Sequence, residues 1–257
     1  VSRIGIDSKF ARARRLIAEL HGEVEAFLAS GAYRVEQTEE PNGDLVYRAR
    51  VDAQPPVEWS VLIGDIVHNA RSALDHLAYA LVAQNNGAPD EHTYFPITDQ
   101  ATGFGARLRS SLRGASPAAK DAVRALQPWR GGDDQLWQLH RLDILDKHRL
   151  LVPVGASHAH TLWGLTAQLP GTDTKERISI PLNPTDRQYP LEDGAEVFRI
   201  MKAGRDTEDS PIKSDHSIVV EMAFGEGQIV VGEPLLPALT YLVDHAASVI
   251  EPLVAGL

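Results

Sequence analysis

The chain has 257 residues, 43% of them hydrophobic and 23% charged, which is apolar material for one large core or two modest ones and excludes disordered, collagenous and rod-like coiled-coil readings. It has no cysteine, so disulfides, thiolate metal sites, iron–sulfur clusters and cysteine nucleophiles are excluded, leaving oxygen and nitrogen groups to do any chemistry. A formal charge of -10, from 25 Lys plus Arg against 35 Asp plus Glu, repels polyphosphates on average, so a nucleic-acid role requires a local basic patch.

Residues 1–10 lack the apolar run of a signal peptide, and no stretch reaches the roughly 18 uninterrupted apolar residues of a spanning helix. A soluble cytoplasmic protein with no membrane partner is the expectation. Asp7 and Ser8 are candidate N-caps for a first helix whose apolar positions Phe10, Ala13, Ile17, Leu20, Val24 and Phe27 recur at spacings of three and four, with Gly31 as its stop. Residues 33–39 and 45–51 read as strands of a hairpin turned by Pro41-Asn42-Gly43-Asp44. Pro55 and Pro56 open a second helix over about 57–84, closed by Asn85-Asn86-Gly87. The segment 89–114 has no sustained period; it reads as a structured loop holding Phe95-Pro96-Ile97 and one short helix near 104–112.

Pro117 starts another short helix that ends before Gln127-Pro128-Trp129, and Asp133 caps a third long helix running to about Leu151, stopped by Pro153. From His158 onward, alternation predicts strands at 161–169, 176–182, 195–201, 217–224 and 228–231, the last two joined around Gly225-Glu226-Gly227. Pro234 begins a closing helix to about Val254. The fold class expected is α+β: a single domain built as a bundle of about four long helices (about 8–152 and 233–255), with an N-terminal β-hairpin and an inserted antiparallel sheet at about 158–231.

The second helix is the most informative element. At about 100° per residue, Trp59, Ile63, Ile66, Val67, Ala70, Leu74, Leu77, Ala78 and Leu81 share one broad arc that must face a core. The opposite arc holds Asp65, His68, Asn69, Ser72, Asp75, His76 and Tyr79, with Arg71 on its border and neither Lys nor Glu between Asp65 and His76. Short hydrogen-bonding side chains are mediocre helix formers, so their concentration points to an interhelical polar network or to a site. On the third helix, Leu136, Trp137, Leu139, Leu142, Ile144, Leu145, Leu150 and Leu151 leave no clear polar side, which predicts burial. His140, Asp143 and Lys147 nonetheless form a stripe, with Asp146 and His148-Arg149 beside it, and such groups need partners such as Asp65, His68, Asp75 and His76.

Residues 64–76, Gly-Asp-Ile-Val-His-Asn-Ala-Arg-Ser-Ala-Leu-Asp-His, with Phe95-Pro96-Ile97 and Leu145-Asp146-Lys147-His148-Arg149, resemble a widespread group of bacterial and phage-associated helical proteins without an assigned activity. The resemblance covers roughly residues 57–152. Arg71 and His76, with four residues between them, also resemble the catalytic signature of the HEPN superfamily of helical-bundle ribonucleases of toxin and defence systems. That resemblance implies metal-independent RNA cleavage, with no cofactor, in a homodimer. It gives Arg71 the phosphate charge and His76 the 2′-hydroxyl, and Asn69, Asp75 and His148 are the expected supporting residues. Five positions turn a helix by about 140°, so Arg71 and His76 converge only through a curled arginine or a partner.

A metal-dependent hydrolase or oxidase is the alternative, with Asp65, His68, His76, His140 and Asp143 as nitrogen and oxygen ligands suited to Zn, Mn or Fe. A third class is a non-enzymatic ligand- or partner-binding protein whose polar helix face is a specificity network. Ser72 lies on no nucleophile elbow, no glycine-rich phosphate loop occurs, and Asp244-His245, His158 and His160 read as structural or surface residues.

Overall fold

The computed structural model describes residues 3–168, 175–181, 189–201, 212–225, 227 and 229–257. In chain order the elements are α1 (Arg3–Ala29), β1 (Tyr33–Glu39), β2 (Leu45–Val51), α2 (Val57–Gln84), α3 (Phe104–Ser111), α4 (Pro117–Ala125), α5 (Asp134–Asp146), β3 (Pro153–Gln168), β4 (Lys175–Pro181), β5 (Glu196–Ile200), β6 (Ile212–Phe224) and α6 (Leu235–Val254). The fold is α+β, with four long helices, an N-terminal hairpin and antiparallel sheets. No described helix is long and apolar enough to cross a membrane.

The chain divides into two compact units: Val1–Glu23, Pro56–Val152 and Gly227–Leu257 form one, and Val24–Pro55 with Pro153–Glu226 the other. In the helical unit the core is drawn from one stripe of each long helix: Ile6, Phe10, Leu16 and Leu20; Trp59, Ile63, Ile66, Leu74 and Leu77; Leu136, Leu139 and Leu142; Leu239, Val243 and Ile250, all buried. These are the 3.6-residue stripes of amphipathic helices, and their removal from water supplies the main driving force. Ser116 caps α4 by accepting from the Ala119 N–H at 3.1 Å, and Asp133 caps α5 by accepting from the Leu136 N–H at 2.9 Å. The Asp133 carboxylate also lies 2.8 Å from His245 Nε2 on α6, which gives that histidine a structural task.

Several boundaries differ from the sequence reading. The first helix starts at Arg3, so Asp7 and Ser8 lie inside it and cap nothing; Ile6 is 1% exposed, and its burial draws the preceding turn into the helix. The third long helix ends at Asp146, with the His148 and Arg149 N–H groups both closing on Leu145 O at 2.9 Å. Residues 147–150 are exposed, and on α5 itself only Leu136, Leu139, Leu142 and Asp143 are buried. The rest of α5 is half-buried, so the expected burial on all sides is deepest along one stripe.

In the second unit β1 pairs antiparallel with β2 from Tyr33↔Val51 to Glu39↔Leu45, and β5 adds to β2 to make a three-stranded sheet of order β1-β2-β5. The hairpin thus takes a strand from the later segment rather than standing alone. Arg199 on β5 reinforces this, donating to Glu40 at 2.9 Å, Asp44 at 3.2 Å and Glu196 at 2.7 Å. The other sheet has the order β4-β3-β6, with β3 and β6 in continuous antiparallel register from Pro153↔Phe224 to Leu165↔Ile212. Pro153 opens β3, eight residues before the strand expected at 161. The strand expected at 228–231 is not formed by Ile229, Val230 and Val231, which lie in turns; Glu226 and Gln228 are outside the described residues.

Candidate functional site

Helices α2 and α5 meet along one seam, and three contacts define it. Gly64 faces Asp146, His68 faces Asp143, and Arg71 faces His140. The numbers rise on α2 as they fall on α5, in steps of three and four, so the two helices run antiparallel with one contact per turn. A Cβ placed on Gly64 would lie 2.5 Å from Asp146 Cγ and 2.6 Å from Oδ2, so only glycine lets the carboxyl lie against the α2 backbone.

At the middle contact Asp143 is 4% exposed, and its carboxylate is matched on both oxygens: His68 Nδ1 is 3.0 Å from Oδ1, and Lys147 Nζ donates to Oδ2 at 2.6 Å. A buried charge of this kind requires such partners. Because a carboxylate only accepts, Nδ1 of His68 carries the proton and Nε2 of the neutral ring keeps its lone pair. The His68 side chain is 57% exposed. The result is an imidazole whose inner nitrogen is held and oriented by a buried carboxylate.

Asp146 completes this part of the seam. Burial, followed by the neighbouring Asp143 and Asp65 charges, pushes its carboxyl above the usual carboxylate range. Asp65 is exposed, and Asn69 donates to Asp65 O at 2.8 Å while its Oδ1 receives Lys9 Nζ of α1 at 3.4 Å.

The contact at Arg71 has a different character. Its guanidinium is 6% exposed, and each nitrogen is engaged: Nε donates to His140 Nδ1 at 3.2 Å, Nη1 to Asp75 Oδ1 at 2.6 Å and Nη2 to Phe95 O at 2.9 Å. Asp75 in turn accepts from the Phe95 N–H at 2.8 Å, so both backbone groups of Phe95 are fastened to one turn of α2. Phe95, Pro96 and Ile97 are buried. The conformation-fixing Arg71–Asp75 pair explains why this loop is ordered without a period of its own.

His140 can accept from Arg71 only as the neutral ring. Burial, then the Arg71 charge, lowers its pKa from the ordinary 6.5 to about 4. The unfolded chain therefore binds this proton first as pH falls. Stability from the group is complete above about pH 6.5 and is lost on the way down to about pH 4, by roughly 3 kcal/mol in all. Urea unfolding at pH 7 and at pH 4.5 is expected to show a steeper fall for the wild type than for His140→Asn, whose amide oxygen accepts without titrating. Equal slopes for the two proteins would contradict this assignment.

Of the residues singled out by sequence, the seam unites His68 with Asp143, and Arg71 with Asp75 and His140. It does not unite Arg71 with His76. His76 Nδ1 is buried without a hydrogen-bond partner among the described residues, and a Cβ on Gly5 of α1 would lie 2.9 Å from it. The 140° between positions 71 and 76 turns one side chain to α5 and the other to α1. His148 is exposed in the turn after α5. Nor do Asp65, His68, His76, His140 and Asp143 form one ligand set: among the described residues, no group of three or more His, Asp or Glu could hold a metal ion.

Sequence reasoning passed over Gly64 and Lys9, and placed Lys147 and Asp146 on the polar stripe of α5 without giving either a role at the site. Gly64 carried a readable signal, since glycine inside a helix is costly unless a close approach requires it. Lys9, on another helix, carried none.

A groove of about 810 Å³ lies between α1 and α6, lined by Arg14, Ile17, His21, Pro237, Thr240 and Tyr241, and contains none of these groups. Comparison with family models, with curated proteins and with solved structures found no match to this chain.

Proposed function

We propose that the chain cleaves single-stranded RNA without a metal ion, using the α2–α5 seam, with His68 rather than His76 as the general base. The observation that carries this reading is the buried Asp143 bound to Nδ1 of His68 at 3.0 Å, with the ring largely exposed. A base held in one tautomer and one orientation can take the proton of an incoming hydroxyl. RNA brings its own nucleophile beside the phosphorus, so positioning and proton transfer are the only demands on the protein. An exposed imidazole on a helix face suits a polymer laid across it better than a small molecule, which enzymes normally enclose.

In the reaction His68 Nε2 takes the 2′-hydroxyl proton, the 2′-oxygen attacks phosphorus, and the bond from phosphorus to the 5′-oxygen breaks. The products are a 2′,3′-cyclic phosphate and a 5′-hydroxyl. Lys9, whose Nζ meets only the neutral Asn69 amide among the described residues, supplies positive charge for the phosphodiester, which an acidic chain needs; the charge of Lys147 is matched by Asp143.

The test is incubation of the purified protein with single-stranded RNA in excess EDTA, followed by analysis of the product ends. Cyclic phosphate termini in the presence of chelator are expected. RNA that stays intact at stoichiometric protein overturns the reading. Intact RNA would instead favour ligand binding without turnover, a second reading supported by the groove between α1 and α6, whose volume matches that of small-molecule sites.

A further inference from the structure

We infer that Asp146 is the general acid of this same site, a role that rests on the reading of His68 as its base. Cleavage needs a proton for the departing 5′-oxygen as well as a base for the 2′-hydroxyl, and the seam offers a second group on the same helix face. Asp146 lies one turn beyond Asp143 on α5, as Gly64 lies one turn before His68 on α2, so the two contacts are about 4.5 Å apart along α5 and about 6 Å apart along α2. That spacing leaves room for one phosphate between base and acid.

Three observations suit Asp146 to donate. Its carboxyl is held against the α2 backbone by the absence of a Cβ at Gly64. It has no hydrogen-bond partner among the described residues, whereas Asp143 is bonded on both oxygens. Its surroundings favour the protonated form: burial, then Asp143 on the same helix and Asp65 on α2, raise its pKa, against the smaller opposing effects of His68 and Lys147. Two carboxyls three residues apart thereby take different tasks: Asp143, bonded on both oxygens, orients His68, and Asp146, whose surroundings favour its protonated form, donates.

The step balances. Asp146 gives its proton to the 5′-oxygen as the bond to phosphorus breaks, His68 holds the proton from the 2′-hydroxyl, and exchange with water returns both groups to their starting states.

A pair of substrates tests the assignment. A dinucleotide has a strongly basic leaving alkoxide that needs the proton. A nucleoside 3′-(4-nitrophenyl phosphate) has a weakly basic one that does not. Asp146→Asn is expected to slow the dinucleotide by about 10²-fold or more and the nitrophenyl ester by less than about 3-fold. Gly64→Ala, whose added Cβ displaces the carboxyl while leaving its chemistry intact, is expected to reproduce this split. His68→Ala is expected to slow both substrates alike. Equal losses on the two substrates in Asp146→Asn, or no loss on either, overturn the inference while leaving His68 in place. Wild-type protein inert toward both overturns the reading of the site and the inference with it.

Discussion

Replacing Arg71 with Ala is expected to destabilise the protein by about 3 kcal/mol, read as a lower urea midpoint at unchanged slope. The guanidinium is 6% exposed and holds three acceptors, so its removal leaves Phe95 O and His140 Nδ1 without their donor. The Asp75 side chain is 38% exposed and recovers part of its loss through water, which keeps the figure at the lower end for a buried ionic network. Lys at position 71 reaches one of the three acceptors and loses the planar fork, so most of the penalty is expected to persist in Arg71→Lys. The Phe95-Pro96-Ile97 loop should loosen first, seen as faster amide exchange at Phe95, whose N–H is held by Asp75. An arginine kept for substrate phosphate would behave in the opposite way: its removal would leave stability nearly unchanged.

The second large effect concerns rate. His68→Ala is expected to lower kcat for RNA cleavage by about 10² to 10⁴, the usual contribution of a positioned base. Asp143→Asn tests the orienting role separately. An amide at position 143 still fills the space, but it can donate to His68 Nδ1 and so select the other tautomer, with the proton on Nε2. The expected signature is a fall in kcat with KM little changed, since the substrate surface is intact. A change in KM alone would assign Asp143 to packing. Asp143→Asn also leaves Lys147 without its carboxylate, but Lys147 is 55% exposed and regains water, so the stability loss is expected to be small beside the loss in rate.

Much of the fold was legible in the sequence, for reasons specific to each element. The second helix is bounded as expected because Pro56 and the Asn85-Asn86-Gly87 run are strong local punctuation and its apolar arc is continuous. The start of α1 was misread because Asp7 and Ser8 are good caps, and the tertiary burial of Ile6 outweighs them. The affiliation of β5 with the hairpin could not be read, since alternation reports a strand's faces but not its neighbour.

The site divides in the same way. A Lys-free polar face on α2 and a polar stripe on α5 were visible as residue types, and they do meet. Which pairs form depends on the helix phase at the seam, and position along the chain does not encode that phase. His140 and Asp143 lie three apart and were equivalent candidates, yet one is a neutral acceptor for Arg71 and the other the charged partner of His68. The Arg71–His76 spacing resembled a catalytic signature, while the backbone turns the two side chains toward different helices.

The most direct test of the central claim is the rate of RNA cleavage in EDTA by His68→Ala and His76→Ala, measured side by side with the wild type. Loss of at least about 10²-fold in His68→Ala, with His76→Ala within a few-fold of wild type, is the predicted result. Full activity in His68→Ala together with loss in His76→Ala would contradict it.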